Sequence, residues 1–122
     1  MRVRLQAKRT GEGIVNKIMC GIFGYVGKTT NVGQMVLSGL KTLEYRGYDS
    51  WGIATKGKSQ KAKGKSLILI EKHIGKIGNA RVSFPKSNIG IGHTRWATHG
   101  GVTVKNAHPH LDCEGKIAVL HN

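Results

Sequence analysis

The sequence predicts an α+β domain built on a sheet, and three observations carry that expectation. Apolar runs of strand length recur along the chain, only one segment keeps a clear helical period, and glycine-rich turns separate the runs. Eighteen glycines among 122 residues suit close backbone approaches better than a helical bundle. The length fits one domain, and an apolar content of 39% supports a modest core.

Residues 1–19 lack a strong period and turn chemistry and are expected to be a disordered extension. They are basic enough to suggest organelle targeting, but the absence of serine argues against it. Secretion is not indicated, because no apolar signal stretch is present. Residues 22–26 read as a buried strand and 27–30 as a turn. Asn31 is then placed to cap a helix over 32–44, in which Val32, Met35, Val36, Leu40 and Leu43 share one face. Gly33 and Gly39 weaken that helix in isolation, so it needs a sheet to pack on. A polar, aromatic turn over 44–50 leads into a strand at 51–55. Residues 67–70 form the next strand, 74–82 a short helix, and 85–87 a loop. The run at 89–96 begins as a strand and ends polar, 97–110 keeps little periodicity, and 117–120 is a last strand. The chain ends two residues later, as if cut.

The formal charge of +14 divides into +4 on residues 1–19 and +10 on residues 20–122. A balance this basic raises phosphate or nucleic acid as a partner. The densest cluster is Lys56, Lys58, Lys61, Lys63 and Lys65. It holds no aromatic residue on which a base stacks, so a solvated hairpin loop is the simpler reading and nucleic acid is disfavoured. No apolar run approaches the roughly 20 residues of a membrane span. Two cysteines without a secretion signal point to reduced thiols in the cytoplasm.

Chemistry concentrates at a few positions. Met19 stands directly before Cys20. Were Met19 the first residue and then removed, Cys20 would carry a thiol and a free α-amine together. Such an amine titrates at about 7.7–8.0 and suits general-base work. On spacing alone a buried structural thiol is the plainer role for Cys20, and Cys113 is read the same way. Arg95 at a strand end suits a bidentate grip on a carboxylate, with Thr94, Thr98 and His99 nearby, although taken alone a surface ion pair is the plainer role. Asn122 is able to donate to an oxyanion, or is merely a turn residue. His99, His108, His110, Asp112 and Cys113 offer zinc ligands, but their spacing matches no finger pattern.

Five strings occur in order: Cys20-Gly21-Ile22-Phe23-Gly24, Glu44-Tyr45-Arg46-Gly47-Tyr48-Asp49-Ser50, His93-Thr94-Arg95-Trp96-Ala97-Thr98-His99-Gly100, Asn106-Ala107-His108-Pro109-His110 and His121-Asn122. Together they resemble the glutaminase domain of the glutamine–fructose-6-phosphate aminotransferases (isomerizing) over residues 20–122. The first string is common to class II glutamine amidotransferases, whereas the second and third are far more specific.

The resemblance implies an N-terminal-nucleophile hydrolase fold, a four-layer αββα sandwich incomplete here, with residues 20–122 its N-terminal half. Cys20 Sγ would attack the glutamine side-chain amide, and the Cys20 α-amine would take the thiol proton and pass one to ammonia. Asn122 and a following glycine N–H would hold the oxyanion. Arg95 would clamp the substrate carboxylate, with Thr98 and His99 lining the pocket and Trp96 and Arg46 beside it and the ammonia route. Ammonia would pass to a sugar-isomerase region making glucosamine 6-phosphate, in a homo-oligomeric whole enzyme. No cofactor and no metal is implied for the glutaminase step.

The chain departs from the pattern at both ends. The glycine after Asn122, a later substrate-binding aspartate and the sugar region are absent, so exposed strand edges and little activity are expected. Residues 1–18 match nothing in the family. A start assigned too early, a removable propeptide or a genuine extension each explain them. Two rival functions remain beside this one, a basic nucleic-acid- or phosphate-binding module and a small zinc-binding protein.

Overall fold

The computed structural model describes residues 19–58 and 63–122. The extension expected over residues 1–18 lies outside them, as does part of the lysine-rich connection. Six strands and one helix are described: β1 (Gly21–Val26), α1 (Val32–Leu43), β2 (Ser50–Lys58), β3 (Ser66–Ile74), β4 (Ile89–Arg95), β5 (His110–Leu111) and β6 (Ala118–Val119), with a 3-10 turn over Glu44–Arg46. The α+β expectation holds.

Four strands make one antiparallel sheet in the order β1-β4-β2-β3. Strand alternation sends Phe23, Tyr25, Trp51 and Ile53 to the face covered by α1. There Val32, Val36, Leu37 and Leu40 of the helix meet Trp51 and Ile53, none of them more than 2% exposed. The helix lies close because β4 presents glycine beneath it. A Cβ on Gly92 would stand 2.6 Å from Val36 Cγ1 and 2.8 Å from Leu40 Cδ1.

Asn31 occupies the N-cap position of α1 but makes no side-chain capping bond. The helix is therefore held by its apolar face, as expected for one containing two glycines.

The short helix expected over 74–82 does not form. Gly75 and Gly78 adopt φ of 86° and 50°, which a right-handed helix excludes. The segment instead folds as turns that drive Ile77 into the core at 3% exposure, while Ile77 N–H donates to Glu44 Oε2 at 3.0 Å. Ala80, Val82 and Phe84 pack on the same cluster. The tertiary contact outweighs the local period. The strand expected over 117–120 shrinks to the two residues of β6, and the strands expected at 51–55 and 67–70 lengthen into a nine-residue pair.

On the opposite face, residues 106–110 cross β2 and β4. Lys72 Nζ donates to the Ala107 carbonyl at 2.7 Å. Gly52 lies directly under the His108 carbonyl, where any Cβ would collide with that backbone oxygen. Gly52→Ala is expected to destabilise the fold by about 2 kcal/mol, as overpacking against backbone does. Urea midpoints of the two proteins measure it, and an unchanged midpoint would show that the crossing segment yields freely.

Among the described residues, no helix is long and apolar enough to cross a membrane.

Candidate active site

Strand register delivers Cys20 to the end of β4. Gly21 pairs with Thr94, and Gly21 N–H donates to the buried Thr94 Oγ1 at 3.1 Å. Cys20 therefore comes to lie beside the backbone that leaves β4. Its half-buried Sγ accepts from Trp96 N–H at 3.3 Å and stands 3.7 Å from the Trp96 carbonyl. The thiol therefore meets both a backbone donor and a backbone acceptor of the same residue.

The turn before β2 is built into the same place. Gly47 packs so closely that a Cβ would lie 2.8 Å from the Arg95 carbonyl carbon and 2.9 Å from Trp96 N. Asp49 N–H donates to the Arg95 carbonyl at 3.0 Å, and Asp49 Oδ2 accepts from Ala97 N–H at 2.9 Å. Tyr48 meets the Trp96 ring edge-on at 5.3 Å. Arg46, half-buried, immediately precedes Gly47.

Arg95 organises the loop that follows it. Its Nη1 donates to the Gly101 carbonyl at 3.1 Å, and its Nη2 donates to the His99 carbonyl. Asn106 Nδ2 donates to the same Gly101 carbonyl at 3.0 Å. Thr98 and His99 sit exposed on this loop. Asn122 is exposed just beyond β6 and makes no side-chain hydrogen bond with a described residue. Its neighbour His121 packs its ring edge-on against His108.

Beneath these groups lies a stack of histidines. His108 is the hub, with its ring 4.5 Å from His93, 4.5 Å from His110 and 5.3 Å from His121. His93 is fully buried; neither ring nitrogen makes a well-formed hydrogen bond, and only the His121 backbone faces the ring as a polar group that favours its charged form. Burial first, and then the neighbouring His108, pushes the His93 imidazole down to about 4. Burial first, and then His110, pushes His108 down to about 4 as well. Burial and Lys72 lower His110.

Cys20, Arg95, Trp96, Thr98 and His99 come together around one strand end with Arg46 beside them, whereas no described contact brings the Asn122 side chain to that place. The zinc set is not assembled: among the described residues, no group of three His, Cys, Asp or Glu is arranged to hold a metal ion. Cys113 is exposed, not a buried structural thiol. It lies in a tight turn closed by Asp112, whose Oδ1 accepts from Ile117 N–H at 2.8 Å.

No family model matches the chain. Curated relatives do. It is 52% identical over 110 residues to a glutamine–fructose-6-phosphate aminotransferase (isomerizing) of Pyrococcus horikoshii. It is 49% identical over 108 residues to the protein of that name in Methanococcus maripaludis, and 52% identical over 105 residues to that of Halobacterium salinarum. The chain belongs to the glutamine–fructose-6-phosphate aminotransferase family. Each match takes in 85% of this chain but only 16–17% of the relative, so the chain spans about a sixth of their length.

Asp49 was not singled out by residue chemistry, and His108 and His110 were read only as candidate zinc ligands, not as members of a packed stack. Asp49 was visible only as part of the Glu44–Ser50 string, and its contact with Ala97 gives that string a physical purpose. Asp49→Ala would leave the Ala97 N–H without its acceptor, at a cost of about 1–2 kcal/mol. Urea unfolding checks this, and an effect near zero would mean that water replaces the carboxylate freely.

Proposed function

We infer that residues 20–122 are the N-terminal half of a class II glutamine amidotransferase domain of the N-terminal-nucleophile type, completed as an αββα sandwich in a longer enzyme. The observation that carries this reading is the placement of the Cys20 thiol against the backbone of Trp96, next to Arg95. The relatives' name adds the reaction class.

With residues 1–19 removed, the Cys20 α-amine takes the thiol proton. The thiolate attacks the side-chain amide carbon of glutamine, and the C–N bond breaks as the protonated amine returns its proton to the leaving ammonia. Water then hydrolyses the thioester to glutamate. The side-chain amide of Asn122 donates to the oxyanion, which suits its exposed position at the strand end. The Arg95 guanidinium holds the substrate carboxylate with donors beyond the two given to the His99 and Gly101 carbonyls. Thr98 and His99 line that pocket, while Trp96 and Arg46 flank the route of ammonia. In the whole enzyme the ammonia serves the synthesis of glucosamine 6-phosphate from fructose 6-phosphate by a sugar-isomerase region.

Labelling by a glutamine analogue bearing an electrophile at the amide position tests the assignment. Modification of Cys113 in place of Cys20 would overturn it.

A further inference from the structure

The end of the sheet opposite Cys20 carries a second polar feature. The turn after β1, the end of β2, the start of β3 and the loop before β4 surround an open cleft of about 670 Å³. Lys28, Lys56, Lys58 and Lys86 line it, together with the hydroxyl-bearing Thr30 and Ser66. All four lysines are exposed, and no carboxylate is among the described lining residues. Neither ion pair among the described residues involves any of the four.

Only Lys56 and Lys58 are close in sequence. The fold adds Lys28 from the β1–α1 turn and Lys86 from the loop before β4. Four ammonium groups around one concavity repel one another and focus a positive potential into it. Helix α1 begins beside the cleft, directly after Thr30 and Asn31. It has no acidic residue in its first turn, while its first residues Val32 and Gly33 are buried and Asn31 bridges to Ser87, so the helix supports the cleft from behind without lining it.

The frame around these charges is fixed. Ser87, only 6% exposed, bonds the Lys56 carbonyl through its hydroxyl at 2.6 Å, and its N–H donates to the Thr30 carbonyl at 2.9 Å. One buried residue therefore ties together the entry to α1, the end of β2 and the approach to β4. A frame held in this way presents its cations without a rearrangement.

We propose that this cleft binds the phosphoryl oxygens of a small phosphorylated molecule. Ammonium groups from separate segments bracket an anion, Thr30 and Ser66 add hydroxyl donors, and the volume falls within the range of small-ligand sites. A monoester and a diphosphate share this chemistry, and the larger charge of a diphosphate matches four lysines better. A nucleic-acid strand fits less well, because no aromatic side chain lines the cleft to stack on a base.

Titration calorimetry of the 122-residue chain with inorganic phosphate and pyrophosphate tests the proposal. Saturable one-to-one binding is expected, with pyrophosphate tighter than phosphate. Replacing Lys28 and Lys86 together by glutamine should weaken pyrophosphate about tenfold or more, as loss of two charge-assisted contacts does. Lys41→Gln, on the exposed last turn of α1, should leave binding unchanged. Amide NMR offers a readout that needs no variant: pyrophosphate should shift Gly27 and Gly57 and leave Gly101 in place. Absence of saturable binding, or equal binding by the double variant, would overturn the site. So would binding only to oligonucleotides, with affinity rising with their length, since that marks a nucleic-acid surface.

Discussion

A protein that begins at Cys20 and continues through the rest of the amidotransferase domain is expected to take one equivalent of an electrophilic glutamine analogue on Cys20 and none on Cys113. The two thiols differ in surroundings. Cys20 is half-buried, is met by Trp96 N–H and lies beside Arg95, the carboxylate clamp proposed above. Cys113 stands exposed on the β5–β6 turn, away from any such grip. A positioned general base contributes about 10²–10⁴ in rate, so keeping residues 1–19 attached should slow labelling of Cys20 by about 10² or more. Peptide mass spectrometry against time measures both effects, and Cys20→Ser should abolish ammonia release. Equal labelling rates with and without the extension would sink the role of the α-amine. Preferential labelling of Cys113 would sink the nucleophile assignment itself.

Acid is expected to undo the fold well before its carboxylates are all protonated. An unfolded imidazole takes its proton near pH 6.5, whereas His93 in the fold takes it only at about pH 4. Between those values the unfolded chain holds more protons, so stability falls as the pH falls. The contribution is fully present above pH 6.5 and exhausted by about pH 4. For the fully buried His93 the loss is about 3 kcal/mol. His108 adds a smaller share in the same direction, because it is partly exposed. The groups facing this stack are His110, His121, Lys72 and Arg95, all basic, so no carboxylate offsets the charge. Urea unfolding at a series of pH values between 7 and 5 should show this slope, and His93→Gln should flatten it. The same slope in both proteins would place the acid sensitivity elsewhere.

The fold class and the run of strands were legible in the sequence because alternating and helical periods report burial directly. The 74–82 segment was not, because its apolar spacing suits a helix while Gly75 and Gly78 turn the chain the other way. Ile77 reaches the core from turns, and no local signal announces that. Of the site, Cys20, Arg95 and Trp96 were legible as parts of motifs, and the structure joins them through the β1–β4 register. The contact made by Asp49, the packing of the histidines around His108 and the joining of Lys56 and Lys58 with Lys28 and Lys86 were not, since each depends on segments far apart in the chain meeting at one place. Lys28 and Lys86 carry no mutual signal in sequence.

The contact between Cys20 and Trp96 also has a consequence in time. It spans 76 residues, and β1 has no described partner in the sheet except β4. During synthesis the thiol emerges among the first residues of the domain, yet it stays ungathered until β4 has been made and closed back on β1. Closure over so long a loop comes late in folding. The Cys20 thiol is thus among the first groups of the domain to be synthesised and among the last to be sheltered, so the nascent chain passes through an interval in which that sulfur has none of the backbone partners it meets in the fold.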